Sequence, residues 1–290
     1  FRAEQNFLRA IELDDRAAAA YEGLARTYEH QNRLDEAHIA FRRAIDLQPG
    51  YWRAHATMGG FLFRIGRSDE ALSFMREAVD LSPNNPRALN SLGTSLYMVG
   101  EFDEARNVWY RSLQIDPTPI AFSNLGTASF YLQDFEQAVA MYSRAVELTP
   151  DDYQLWGALG DAYRFMPGSE ADSASSYEKA IELAEAYVNL SADDGYTLAA
   201  LAHYLASTGQ ADRAAWRLAR AVELAPSDMY VHYYAALVAA SSGDVDAAVD
   251  ASRRAMDNGY PSNLLAAEPG LQSLADSAKF RELLATDNSE

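Results

Sequence analysis

Apolar residues return along this chain at steps of three and four, in blocks of about 14 residues parted by short polar breaks, which is the spacing of one buried face on an α-helix. The blocks come in pairs, and the pairs repeat. Tyr21, Leu24, Ala25, Tyr28, Ala37, Phe41, Ala44 and Pro49 are followed 34 residues on by His55, Met58, Gly59, Leu62, Ala71, Met75, Ala78 and Pro83. A further 34 give Leu89, Leu92, Gly93, Leu96, Ala105, Trp109, Ser112 and Pro117. The register then slips by one, to Phe122, Leu125, Gly126, Ser129, Ala138, Tyr142, Ala145 and Pro150. Trp156, Leu159, Gly160 and Tyr163 open another unit, and units opened by Leu198 and His232 come after it. The period predicts a half repeat over 1–17 and repeats beginning at 18, 52, 86, 119, 153, 195 and 229.

The punctuation agrees. Gly66, Gly100, Gly209 and Gly243 stand where helix C-termini take a left-handed residue, and Pro86, behind Asn84-Asn85, suits a first helical position. Small residues such as Gly59, Gly93, Gly126 and Gly160 recur where helices must approach closely. Each pair leaves an apolar face that only the next pair can cover, so the expected fold is all-α, an α-solenoid of antiparallel helix pairs. Two places break the period. From Ala180 to Leu198 the spacing is 18 where 11 is due. Seven extra residues are close to two helical turns, which predicts a second helix lengthened to about 169–190 and projecting beyond the stack. Together with Pro167-Gly168 this suggests a front part, 1–166, and a back part, 195–260. After Pro261, Leu264, Leu265, Leu271, Leu274, Phe280, Leu283 and Leu284 abandon the spacing, so 261–290 is expected to be a C-terminal cap and tail behind an array over 1–260.

The run from Trp156 to Tyr163 reproduces W-x2-L-G-x2-Y, and seven units in phase resemble the tetratricopeptide repeat (TPR) family over about residues 1–260. The resemblance implies a right-handed superhelix with a concave inner wall, and a scaffold that binds a segment of a protein partner there. The tail, with Glu268-Pro269, Leu274 and Lys279-Phe280-Arg281, also resembles the ends of repeat modules attached to bacterial signalling proteins: receptor-like kinases, adenylate cyclases and winged-helix regulators. The alternative that follows is a regulatory or sensory module acting through ligand binding or self-association. Phe1 in place of an initiator methionine leads to the expectation that the sequence is a piece of a longer protein.

Composition narrows the chemistry. Hydrophobic residues are 49% of the 290 and charged residues 23%, enough apolar matter for a core. A net charge of −18 argues against sequence-independent nucleic-acid binding, which needs a basic surface. No apolar run reaches the roughly 20 residues that cross a bilayer, which argues against membrane insertion. With no cysteine there is no disulfide, thiolate metal site or cysteine nucleophile, and the compartment stays open between cytoplasm and periplasm. The acid pairs Asp14-Asp15, Asp151-Asp152 and Asp193-Asp194 each precede a first helix and are expected to cap it. Asp244, Asp246 and Asp250 imitate a calcium loop but lack its glycine and closing glutamate. The five histidines have no metal-ligand spacing, and His55 and His232 fall at packing positions. There is no nucleophile elbow, phosphate loop or dinucleotide fingerprint, so no catalysis, cofactor or metal is expected.

Binding is therefore the expected work. On each first helix, a stripe at steps of three, four and three avoids the packing positions. By the family resemblance it faces the inner wall. It carries Arg53, Phe63, Arg87, Asn90, Thr94, Tyr97, Thr127 and Phe130; adjacent positions add Arg64, Asn124, Tyr131 and Arg164, and Glu22, Glu29 and Asp161 are acidic interruptions. Arginines hold carboxylates in a planar fork, asparagines pair with an extended backbone, and aromatics add contact at low entropy cost, so a protein or peptide partner is the expected ligand, with carboxylate groups among the features the arginines could hold.

Overall fold

The computed structural model describes residues 2–286, and among these it holds seventeen α-helices, one 3-10 helix and no strand. After α1 (Arg2–Leu13) come the pairs α2 (Ala18–His30) and α3 (Leu34–Leu47), α4 (Trp52–Arg64) and α5 (Ser68–Leu81), and α6 (Pro86–Met98) and α7 (Phe102–Ile115). They continue with α8 (Pro119–Tyr131) and α9 (Phe135–Leu148), α10 (Tyr153–Arg164) and α11 (Glu170–Leu190), α12 (Gly195–Ser207) and α13 (Ala211–Leu224), and α14 (Met229–Ser241) and α15 (Val245–Asp257). The short α16 (Ser262–Ala267), a 3-10 turn over Pro269–Leu274 and α17 (Ala278–Thr286) follow.

The chain divides into two compact units. The first takes the residues up to 97 with 107–117, and the second 98–106 with 118 onward. In the first, Ala25, Phe41, Met58, Phe61 and Leu62 form a core in which the Phe41 and Phe61 rings lie 5.1 Å apart. In the second, Tyr177, Leu198, Leu201, Leu205 and Val231 do the same. Ala184 and Val188, in the last turns of α11, are buried in that cluster, so these turns pack against the fold while Leu190 at the end is exposed.

Local chemistry sets where helices begin and end. The residue that turns the chain within a pair is left-handed: Gly66 and Gly100 at φ of 79° and 86°, and Asn32 and Gln133 at 58° and 60° where the sequence offers no glycine. Pro86 begins α6, and Asn85 Oδ1 accepts the free N–H groups of Arg87 and Ala88 at 3.0 and 3.4 Å. Asp152 and Asp194 cap α10 and α12, and Asp244 caps α15. The pair Asp14-Asp15 departs from this expectation. Helix α2 begins at Ala18 behind Ala17, which makes no side-chain cap, and Asp14 Oδ1 instead accepts from Arg16 N–H at 3.0 Å inside the preceding turn. The carboxylates lie one turn too early to reach the helix.

Close approach explains the small residues. A Cβ added to Gly93 would sit 2.4 Å from Trp109 Nε1, and one on Gly126 or Gly160 would run into Tyr142 or Tyr177 at 2.9 and 2.8 Å. In these three pairs a large ring of the second helix fills the gap left by the glycine of the first. The opening position has its own fastening. Nε2 of His55 and of His232 donates to the carbonyl of the proline six residues back at 2.9 and 2.8 Å, as Trp156 Nε1 does at 2.8 Å. Histidine there packs and donates, and needs no metal.

Candidate functional site

In the first unit, α2, α4 and α6 turn one face to a common cleft of about 610 Å³ lined by Arg26, Glu29, Ala56, Gly60, Arg64 and Ser91 among others. Small residues at 56 and 60 leave the room. Two of the arginines are already engaged. Arg64 forks onto Glu29 with bonds of 2.6 and 3.0 Å, tying α4 to α2, and Arg26 pairs with Glu22 at 2.7 Å. Glu22 and Glu29, two of the acidic interruptions, are thus partners of arginines of the first unit.

Arg53 and Arg87 are different. One repeat apart, in the first turns of α4 and α6, both are exposed, and neither makes a side-chain ion pair among the described residues. Arg53 borders a smaller cleft of about 130 Å³ with Glu22, Gln48 and Tyr51. Thr94 is exposed, Phe63 is half-buried against the core, and the half-buried Tyr97 lies 6.0 Å from the Trp109 ring. Asn90 is half-buried with its Oδ1 shielded from solvent and without a donor. The first unit therefore presents Arg53, Arg64, Arg87 and Thr94 to solvent, with Phe63, Asn90 and Tyr97 partly withdrawn.

In the second unit the stripe is mostly spent on the protein itself. Phe130 is 7% exposed, with its ring centroid 5.7 Å from that of Phe135 and 5.9 Å from that of Phe165. Tyr131 is 8% exposed and stacks on Phe102 at 5.2 Å. These two sites of the stripe are packing groups, because aromatic neighbours on adjacent helices are near enough to bury them. Thr127 Oγ1 bonds the Ser123 carbonyl and the Tyr142 hydroxyl, each at 3.0 Å. Asn124 is half-buried and Arg164 exposed.

Two polar clusters of this unit escaped sequence reasoning. Asp161 Oδ1 accepts from the Tyr177 hydroxyl at 2.6 Å and from His203 Nε2 at 2.8 Å, joining α10, α11 and α12. Burial, with the Asp161 charge beside it, holds the Tyr177 phenol well above its ordinary range. The other centres on Glu268, 3% exposed, whose Oε2 accepts from Tyr131 and Tyr233 hydroxyls at 2.9 and 2.8 Å while Oε1 accepts from Gly270 N–H at 3.0 Å. Burial pushes its carboxyl above the usual value, and the negative Asp161 adds to the rise. Only the dipeptide Glu268-Pro269 hints at it in sequence. Among the described residues no cluster of His, Asp or Glu suits a metal ion, and no helix is long and apolar enough to cross a membrane.

With this geometry in hand, the family described as Cilia and flagella-associated protein 70 middle TPR-like domain matches residues 21–185, and the family described as Tetratricopeptide repeat matches 199–261. No curated protein is significantly similar to the chain in sequence. Solved structures resemble it in fold. A tetratricopeptide repeat protein from Parabacteroides merdae gives a TM-score of 0.61 at 14% identity, over 97% of this chain and 98% of that one. Yeast Tom70 gives 0.58 at 18%, over 100% of this chain and 62% of its own. The APC/C hetero-tetramer Cut9–Hcn1 gives 0.57 at 17%, over 98% of this chain and 51% of that one.

Proposed function

Because the chain belongs to the tetratricopeptide-repeat family, whose fold serves as a scaffold for protein–protein interaction, we propose that it binds an extended, carboxylate-bearing segment of a partner protein along the first-helix face of its first unit. The observation that carries the reading is the pair Arg53 and Arg87. In a chain of net charge −18, two exposed guanidinium groups stand at the same position of consecutive repeats without a carboxylate of their own. A peptide laid across α4 and α6 would meet both, with Phe63 and Tyr97 supplying apolar contact and Asn90 and Thr94 able to bond its backbone. Arg64 shapes the cleft through Glu29. Asn124, Thr127 and Arg164 of the second unit are a further polar strip available to such a ligand. Cut9, similar in fold, is itself described in a hetero-tetramer with Hcn1. Residues 1–260 are taken as the binding array and 261–290 as its cap, of which 287–290 lie outside the described residues.

The test is affinity capture from the source lysate with wild type and an Arg53→Glu/Arg87→Glu variant side by side, circular dichroism confirming equal helicity. Each lost charged hydrogen bond costs about 1.5–3 kcal/mol, so the bound partner should disappear from the variant's eluate, and added salt should weaken wild-type binding. Equal capture by both proteins would show that the face is misassigned.

A further inference from the structure

The second unit carries a strip of tyrosines at the start of its first helices. Tyr196 and Tyr230 are the second residues of α12 and α14, the helical position that Arg53 and Arg87 take in α4 and α6. Tyr153 opens α10, and Tyr187 comes from the extra turns of α11. The three first helices are neighbours there. Tyr153 Oη lies 2.9 Å from Thr197 Oγ1 of α12, and the Tyr196 and Tyr230 rings meet edge to face at 5.8 Å. Tyr187 reaches Tyr153 at 6.0 Å, so the rings run in the order 187, 153, 196, 230. Tyr187 and Tyr230 are 44% and 38% exposed, and the two between them are half-buried. Aromatic surface that continues over three repeats is of the kind that marks a binding face.

The surroundings of the strip have one sign. The segments that lead into these helices, 149–152, 191–194 and 225–228, hold five aspartates and no lysine or arginine. Of the five, Asp193 alone pairs with a cation among the described residues, Arg220 at 3.3 Å. The charges stand close to the rings. Burial raises the phenols of Tyr153, Tyr196 and Tyr230, and Asp194 beside the first and Asp228 beside the other two raise them further. The rings are also held in place. Thr197 Oγ1 donates to Asp194 Oδ2 at 2.9 Å, which leaves the Tyr153 hydroxyl to donate to Thr197. Tyr230 is braced on its other side by Tyr260 at 5.9 Å.

We propose that this strip holds an extended basic segment of a partner protein, with lysine or arginine side chains laid on the tyrosine rings and their charges directed at Asp194 and Asp228. A cation over a tyrosine face is attracted by the negative centre of the ring, and an adjacent carboxylate adds to that attraction. Spacing favours an extended ligand. Neighbouring helices pack about 8–10 Å apart. A chain in the polyproline II conformation returns a side chain to the same face every third residue, about 9 Å along. One basic residue in three therefore meets one ring per repeat. The site lies within the second unit and does not rest on Arg53 and Arg87. The two faces call for ligands of opposite charge, and either reading can fail without the other.

The probe is a labelled synthetic peptide of three Pro-Pro-Lys units, with a counterpart carrying glutamine for each lysine. Both are titrated into the full chain at neutral pH and low salt, followed by fluorescence anisotropy. Wild type should bind the lysine peptide at least tenfold more tightly than the glutamine peptide. Tyr230→Ala should weaken the lysine peptide at least threefold, and Tyr230→Phe, which keeps a ring, should leave it within twofold of wild type. Asp194→Asn/Asp228→Asn keeps both helix caps, since asparagine caps as well as aspartate, and removes only charge. It should weaken the lysine peptide at least threefold, and it decides the matter if Tyr230→Ala does not fold. Asp14→Asn/Asp15→Asn removes the same charge from the first unit and should change nothing. Equal binding of the two peptides, no binding of the lysine peptide, or the same loss in the first-unit variant as in the second-unit one would overturn the proposal.

Discussion

Substituting alanine for two glycines on different faces of first helices should move stability in opposite directions. Gly60 and Gly93 both lie inside first helices of the first unit, where glycine costs about 0.8–1.0 kcal/mol relative to alanine. At Gly60 an added Cβ meets only the end of the Arg64 side chain, at 3.4 Å, in the open cleft. Gly60→Ala should therefore keep most of the propensity gain and stabilise by about 0.5–1 kcal/mol. At Gly93 the Cβ would lie 2.4 Å from Trp109 Nε1 and 2.6 Å from Cδ1, and Trp109, 2% exposed, has no room to withdraw. Overpacking costs about 1–3 kcal/mol, and a 2.4 Å overlap with a buried ring falls in the upper part of that range, about 2–3 kcal/mol, so less the propensity gain it leaves Gly93→Ala destabilised by about 1–2 kcal/mol. Urea unfolding followed by far-UV circular dichroism measures the difference. Because repeat arrays can unfold in parts, hydrogen exchange in α6 should be followed alongside. A Gly93→Ala variant as stable as wild type, or a Gly60→Ala variant clearly less stable, would refute the packing argument.

Two further outcomes follow from the caps and the buried acid. Asp228→Ala removes the acceptor for Tyr230 and Val231 N–H at the start of α14 and should cost about 1 kcal/mol in thermal unfolding, whereas Asp14→Ala, which caps no helix, should cost less. Glu268 has its carboxyl raised by burial and by the charge of Asp161, facing Tyr131 and Tyr233, so its contribution is fully present below the ordinary value of 4.5 and is lost as pH rises through the raised one. Glu268→Gln stays neutral and escapes that loss. The melting temperature of Glu268→Gln minus that of wild type should grow as pH rises from about 4.5. A difference constant with pH would sink the reading.

Periodicity made most of the fold legible because a repeat protein states each packing rule several times over. The glycine that admits Trp109, Tyr142 or Tyr177, the proline that stops a second helix and the residue that turns left-handed each recur at one register. Single examples would have been ambiguous; copies in phase were not. The binding stripe was less legible, since side chains pointing at one face compete for one another. Arg64 and Glu29 stand 35 residues apart, one repeat and one step, and so meet as a pair, a relation that a stripe drawn along single helices does not display. Phe130 likewise counts as groove-facing on its own helix and is buried once Phe135 and Phe165 arrive from neighbouring ones. The Tyr131–Glu268 pairing was not legible beyond the dipeptide Glu268-Pro269, because nothing periodic links residues 137 apart.

That long contact bears on how the protein is made. Helix pairs joined by turns of a few residues can form as soon as they leave the ribosome, and each needs only its neighbour. Tyr131, however, meets Glu268 only after every helix from α9 to α16 has been synthesised. The growing polypeptide thus passes through a stage in which both tyrosine hydroxyls lack the carboxyl partner that they hold in the finished fold.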